Sequence, residues 1–158
     1  MMSRPDLDHL RRAIAVSQAA RDHGNHPFGA VLVDPNGAVV LEAENTVTTE
    51  GDLTHHAETN LVRLAQRVIP EEDLLLHTLY SSCEPCAMCA GAIYWAGIGR
   101  VVYALSEGGL LELTGNHPGN TMLMHPCRSV FADGRRDTAV TGPLIEDEAA
   151  LPHIGFWQ

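Results

Sequence analysis

The chain has 158 residues, a formal net charge of −10, and only arginine among its ten lysine-or-arginine positions. That length suits one domain with a full core. The absence of lysine excludes lysine Schiff-base chemistry and the lysine-dependent phosphate loop, and the acidic balance argues against nucleic acid as a partner, because affinity for phosphates comes from cationic side chains.

No apolar run approaches the ~20 residues needed to span a bilayer, so no membrane partner is expected. The start, Met1-Met2-Ser3-Arg4-Pro5-Asp6, leads into a charged helix rather than an apolar signal core, and a cytoplasmic protein is expected. Cysteines stand at 83, 86, 89 and 127; in that compartment a Cys-x-x-Cys pair points to metal or redox chemistry rather than disulfides.

Ser3 is placed to cap a helix with Pro5 in its first turn. Leu7, Leu10 and Ile14 continue it at helical spacing to about Arg21, and His23-Gly24-Asn25 ends it. Phe28 to Asp34 reads as a buried strand, Pro35-Asn36-Gly37 as a turn, and Ala38 to about Asn45 as the antiparallel return strand. Thr46 to Thr54 has no period and is a loop. His55 to Val68 is predicted helical, with Pro70 ending it. A third strand is predicted within Leu74–Ser81, a second buried helix over Cys86–Ala96 stopped by Gly97, and a fourth strand over Arg100–Leu105. The strand–helix–strand spacing implies parallel pairing beside the first hairpin. Beyond Ser106, Gly108-Gly109 and Asn116–Asn120 read as loops, Met122–Phe131 as a strand or short helix, and Leu144–Leu151 as a short acidic segment before an aromatic tail.

Chemistry concentrates in two knots, His55-His56-Ala57-Glu58 and Ser82-Cys83-Glu84-Pro85-Cys86-Ala87-Met88-Cys89. A catalytic zinc keeps three protein ligands and one position for water. His56, Cys86 and Cys89 supply such a set for one Zn²⁺ per subunit. Helix N-termini favour the thiolate form of a cysteine placed there, and Pro85 sits where a missing N–H costs nothing. Glu58, about 200° from His56 if both were helical, is a plausible proton shuttle beside the metal-bound water. A closed structural zinc site with Cys83 as fourth ligand, or a redox pair, are the other readings of the cysteines. Cys83 and Cys127 otherwise read as small buried residues, and His55 as solvated or supporting its neighbours.

The joint pattern, His-x-Glu followed by Pro-Cys-x-x-Cys, resembles the zinc-deaminase signature. From about Leu10 to Tyr103 the chain resembles the cytidine-deaminase-like superfamily, most closely its guanine, fungal-type cytosine and tRNA adenosine deaminase branch. Pro27-Phe28-Gly29-Ala30-Val31, Glu44-Asn45 and Cys83 through Ala96 carry the likeness. The resemblance implies a three-layer αβα sandwich around a mixed five-stranded sheet, in one domain over 1–158 with a catalytic core at about 7–120. It implies zinc on His56, Cys86 and Cys89, Glu58 as shuttle, and Asn45 with the Ala57 and Cys86 backbone on the substrate. Phe28, Glu84 and Trp157 join the candidate substrate contacts, and the tail at about 144–158 is a candidate cap. It further implies a homodimer, in some members with a swapped C-terminal segment. The expected activity is hydrolytic deamination of a free nucleobase or base-like heterocycle, guanine first, with cytosine, isocytosine or an aminotriazine close behind. Asn116-His117-Pro118-Gly119 resembles a loop of the tRNA adenosine deaminases, which is one alternative. A non-catalytic structural zinc protein is the other.

Overall fold

The computed structural model describes residues 3–158; Met1 and Met2, where the charged lead-in begins, lie outside the described residues. Helix α1, Arg4–Asp22, starts where the sequence places it. Ser3 accepts from the Asp6 N–H at 3.3 Å, and Asp6 Oδ2 accepts from the Ser3 N–H at 3.1 Å, a reciprocal cap. Asp6 also ties the helix to the sheet. Its Oδ1 accepts from Tyr80 Oη at 2.6 Å and from Arg100 Nη1 at 3.0 Å. Burial opposes ionisation of this carboxyl, but the hydrogen bonds from Arg100, Tyr80 and Ser3 outweigh it and hold it well below the usual carboxylate range.

Strands β1, Gly29–Val33, and β2, Val39–Glu44, form the expected antiparallel hairpin. Glycine is required at 29, because a Cβ there would stand 2.5 Å from the backbone of Ala13 and Ser17 in α1. Helix α2, Ala57–Val68, then leads to a single turn, α3, Glu71–Leu74, which the sequence reading left without an element apart from Leu74. That strand, β3, runs over Thr78–Cys83, so the cysteine motif begins where it ends. Helix α4, Ala87–Ala96, stops at Gly97, whose φ of 82° lies in the left-handed region that glycine favours. Strand β4 is Arg100–Leu105.

Three elements follow, of which the sequence placed neither the first nor the last and left the second open between strand and helix. Helix α5, Glu107–Thr114, contains the Gly108-Gly109 pair taken as a loop signal. Ser106 caps it, its Oγ accepting from the Gly109 N–H at 3.1 Å, while its own N–H and hydroxyl donate to Glu146 Oε2 at 3.0 and 2.8 Å. Helix α6, Cys127–Ala132, resolves the ambiguous segment as helix. The fifth strand, β5, is only Ala139–Thr141. The acidic segment is helix α7, Glu146–Ala150, followed by a 3₁₀ turn, Leu151–His153.

The sheet order is β2-β1-β3-β4-β5, with β1 antiparallel to both neighbours and β3, β4 and β5 mutually parallel. Strand alternation sends Ala30, Leu32, Leu79 and Val101 into one core with α2, α4 and α6. It sends Val31, Val33, Tyr80 and Val102 into a second core with α1, α5 and α7. This is the expected three-layer sandwich around a mixed five-stranded sheet. Its registers bring the end of β2, the start of β1 and the ends of β3 and β4 to one edge. Open α/β sheets bind ligands beyond the carboxyl ends of their parallel strands. No helix among the described residues is long and apolar enough to cross a membrane.

Candidate active site

Both sequence knots arrive at that edge, each at a helix N-terminus. His56 is the residue preceding α2, with extended φ and ψ of −69° and 159°, and Cys86 holds the same place before α4 at −64° and 171°. The sequence reading put both residues inside the first turn; the structure puts them one step outside. The 200° helical offset between His56 and Glu58 therefore does not apply. The extended residue turns the imidazole back toward α4 while Glu58, inside the helix, reaches the same point from below.

Three donor atoms converge there. His56 Nδ1 lies 3.6 Å from Cys86 Sγ and 3.5 Å from Cys89 Sγ, and the three donors all fall within 4.8 Å of one another. A tetrahedral zinc with ordinary Zn–S and Zn–N bonds of about 2.3 and 2.0–2.1 Å separates an imidazole nitrogen from a thiolate sulfur by about 3.6 Å. The observed spacings match, so the donor set fits zinc in distance as well as in chemistry. Cys83 lies outside this group, buried at the end of β3. Among the described residues the cluster is thus three-membered, the count of an open, catalytic type of site rather than a closed structural one.

The Cys89 thiol and His56 hydrogen-bond to Cys86 and, against the opposing effect of burial, hold its thiol down at about 4. The same contact with Cys86, together with burial, pushes Cys89 well above its ordinary value, and the bond to Cys86 raises His56 against the desolvation it also suffers. A bound dication reverses this logic for Cys89 and His56, favouring two thiolates and a neutral ring.

Glu58 is 5% exposed. Its Oε1 accepts from Ser81 Oγ at 2.8 Å and its Oε2 from Cys89 Sγ at 3.5 Å. Burial, and then the negative charge of Cys86, push the carboxyl up. Ser81 went unnoticed in the sequence, because a serine in the middle of a strand carries no signal until its facing residue is known.

Beyond these groups opens a cavity of about 590 Å³. Asn45, Phe28 and Glu84 line it, together with His56, Glu58 and Cys86. Asn45 is buried just past β2, and its Oδ1 accepts from the Val47 N–H at 3.1 Å, which leaves its amide nitrogen as the group to donate. Glu84 uses both carboxylate oxygens internally, accepting from the N–H groups of Glu107 at 3.2 Å and Cys127 at 3.1 Å. It therefore fastens α5 and α6 to the cysteine loop.

Ala57 is fully buried at the start of α2, and Trp157 does not reach the cavity. Trp157 stands one layer behind the wall, with its ring centroid 5.3 Å from His26 and 6.3 Å from Phe28, and its indole N–H donating to His153 Nδ1 at 3.0 Å. Burial, and less strongly the charge of Arg21, hold His153 down at about 4, so it is a neutral acceptor. Arg21 donates to the carbonyls of Pro152 and Ile154 at 2.8 and 2.6 Å. The tail thus packs on its own chain and braces the wall rather than forming it. His55, next to the ligand, pairs instead with Glu50 and Asp52.

The far wall consists of Glu107 and Leu110 of α5 and the run from Pro118 to Leu123. Sequence reasoning had the loop character of residues 116–120 and the likeness of Asn116–Gly119 to a loop of the tRNA adenosine deaminases, but no period that would set the run against the cavity.

Known proteins share this arrangement. The model of the cytidine and deoxycytidylate deaminase zinc-binding region matches residues 3–105. A protein described as a probable cytosine deaminase from Schizosaccharomyces pombe is 47% identical over 156 residues, 99% of this chain and 94% of the relative. A guanine deaminase from Bacillus subtilis is 46% identical over 96 residues, 60% of this chain and 61% of its own length. A solved structure from a study of A-to-I editing by tRNA:A34 deaminases superposes with a TM-score of 0.71 at 28% identity, covering 92% of this chain and 99% of the other. The matched region contains β1 through β4 and every donor atom of the site, and the chain belongs to the cytidine and deoxycytidylate deaminase zinc-binding family.

Proposed function

We propose that the chain is a hydrolytic deaminase of a free nucleobase or base-like heterocycle, working with one zinc ion on His56, Cys86 and Cys89. The observation that carries this reading is a buried, protonatable Glu58 beside a three-donor cluster that opens into a largely apolar cavity. The net reaction exchanges an exocyclic amine for oxygen, consuming water and releasing ammonia. Zinc would supply a water acidified from 15.7 toward about 7 as the nucleophile. Glu58, raised by burial, is suited to take the water proton on a carboxylate oxygen, pass it to a ring nitrogen, and deliver a proton to the departing amine. Ser81 keeps one carboxylate oxygen fixed so that the other faces the reacting centre. Asn45 donates its amide N–H to an acceptor on the ring. Phe28 and His26 offer flat surfaces beside it, Glu84 holds the cysteine loop and α5 in register, and Ala57 and Cys86 present backbone groups at the helix starts. Trp157 supports Phe28 and His26 from behind.

Cytosine stands first among candidate substrates in this proposal, ahead of guanine. The support is the similarity to the fission-yeast protein, which runs through the C-terminal elements that build the far wall, whereas the bacterial guanine deaminase is similar over 96 residues only. A tRNA adenosine deaminase is the second reading, favoured by the superposition over 92% of the chain. The charge of −10 without any lysine weighs against it. Ammonia release from cytosine, guanine, isocytosine, aminotriazines, their nucleosides and a tRNA anticodon stem-loop tests the choice. Turnover of a free base supports the proposal; turnover of the tRNA alone overturns it.

We further propose a homodimer through α4. That helix is apolar all round, yet Met88 and Trp95, seven residues apart on one face, remain 36% and 79% exposed. A helix without a polar face is expected to be covered on every side. Sedimentation of the wild type and of Trp95→Glu tests this, the variant shifting toward monomer.

A further inference from the structure

Glu58, Glu84 and Glu107 all line the cavity, and of the three only Glu107 has a buried oxygen without a hydrogen-bond partner. Glu58 takes the Ser81 hydroxyl and the Cys89 thiol, and Glu84 takes two backbone N–H groups. Glu107 is 7% exposed and its Oε1, fully buried, has no hydrogen-bond partner. Leaving a buried acceptor unpaired costs about 1–3 kcal/mol, more for a charged group, and such exceptions call for an explanation. Capping of α5 does not supply one, because the Ser106 hydroxyl already does that. Nor does an ion pair: burial and then the like charge of Glu84 push its carboxyl up, with the backbone N–H of His125 opposing them.

Position suggests the missing partner. Asn45 follows β2 and Glu107 follows β4, with β1 and β3 between them in the sheet. Three strand spacings amount to about 14 Å, so the two side chains approach the cavity from opposite sides. Asn45 has its oxygen committed to Val47 and presents a donor; Glu107 presents an acceptor. A ring seated between them meets both if it carries an acceptor on one edge and an N–H on another. The cavity, about 590 Å³, is larger than a lone base needs and within the range of sites that take drug-sized ligands. Size alone therefore does not turn away a base with a sugar attached, and a polar test is needed. A site built to hydrogen-bond a substrate N–H rejects analogues lacking it far more strongly than an apolar pocket rejects extra bulk.

Resting on the free-base reading above, we propose that the Glu107 carboxylate accepts a hydrogen bond from the ring N–H that a free base carries and that a nucleoside has replaced with its sugar. Glu107 is then a specificity-determining residue, selecting free bases over nucleosides and other N-substituted rings.

The test uses the zinc-loaded full chain and ammonia release. It compares kcat/KM for cytosine with 1-methylcytosine and for guanine with 9-methylguanine. In the wild type the free base is strongly preferred. In Glu107→Ala, kcat/KM for the free base falls about tenfold to a hundredfold, the range for a hydrogen bond to a charged group. The methylated ring loses nothing, so the preference ratio collapses by the same factor. Glu107→Met, without an acceptor but close in volume, gives the same collapse if the alanine variant is poorly folded. Glu107→Gln keeps an acceptor oxygen and retains most of the ratio. An unchanged ratio in both acceptorless variants, with base and methylated base falling together, marks Glu107 as merely structural and overturns the inference while leaving the free-base reading intact. A wild type that acts on no free base overturns that reading, and this inference with it.

Discussion

Glu58→Gln separates chemistry from architecture. The substitution changes one oxygen of a buried group to nitrogen. The amide oxygen still accepts from Ser81, whose Oγ lies 2.8 Å from Glu58 Oε1, so the side chain stays in place. What is lost is the proton: an amide neither takes one from water nor returns it to the ring. General acid–base catalysis contributes about 10²–10⁴ in rate, and here one carboxyl is asked to act in successive transfers, so a fall in kcat near the upper end, about 10³ or more, is expected. Stability should move the other way. The folded pKa of Glu58 is raised, so its carboxyl favours the fold most when protonated. That contribution is full below the ordinary value of 4.5 and is lost as pH rises through the folded value. At pH 7 the glutamine variant no longer carries this penalty, and its zinc-free form should melt at or above the wild type. The assay is ammonia release at saturating substrate, beside metal analysis and thermal melts. Turnover within about tenfold of wild type, with zinc at one per chain, would refute the shuttle role.

The remaining expectations are more local. Ser81→Ala frees Glu58 Oε1 and should lower kcat by about tenfold, the worth of one charge-assisted hydrogen bond, with zinc content unchanged by metal analysis. Cys83→Ser should leave zinc binding intact, whereas Cys89→Ser should abolish it at nanomolar free zinc in a competition titration with a chromophoric chelator; loss of metal from the Cys83 variant would mean a fourth ligand. Asp6→Asn weakens the tie to Arg100 and Tyr80 and should destabilise by about 2 kcal/mol at pH 7. Because the folded pKa of Asp6 is depressed, its contribution is full above the ordinary 3.8 and is lost as pH falls below that toward the native value. Urea melts of wild type and variant should therefore stay apart from pH 7 down to about 3.8, and the gap should only begin to narrow between there and pH 3.

Much of this was legible in the chain because each signal was local. The Ser3 cap, the apolar run at Ala30–Val33, the stop at Gly97 and the His-x-Glu and Cys-x-x-Cys spacings are read within a few residues. The failures share the opposite property. Helix α5 contains a glycine pair that ordinarily breaks helices, and it forms because Ser106 caps it while Glu146, far along the chain, accepts from that cap. Strand β5 has three residues, too few for a period, and exists only as an edge partner to β4. Glu84 read as a candidate substrate contact, and the contacts it makes, to the starts of α5 and α6, depend on one helix that the sequence did not announce and another that it left open. The unpartnered oxygen of Glu107 is likewise a fact about surroundings rather than about neighbours in sequence.

The same division runs through the site. His56, Glu58, Ser81, Cys86 and Cys89 lie within the stretch that the family model matches, residues 3–105. They sit in β3 and at the starts of α2 and α4, which meet at the sheet edge, so the proposed metal donors and proton carrier belong to the regular part of the fold. Glu107, Leu110 and Pro118 to Leu123, the far wall, come after that stretch, on a helix that depends on a distant cap and on a connecting segment without regular structure. Rigid placement suits the chemistry, where an error of an ångström costs rate. Loops and short capped helices tolerate exchange, which suits a wall that differs from one substrate to another. Similarity confined to the first part of the chain therefore argues for the reaction, and only similarity that continues past Leu105 bears on the ring. An exchange of residues 106–126 between this protein and a relative with a different preferred base should carry the preference with it and leave the dependence on Glu58 unchanged.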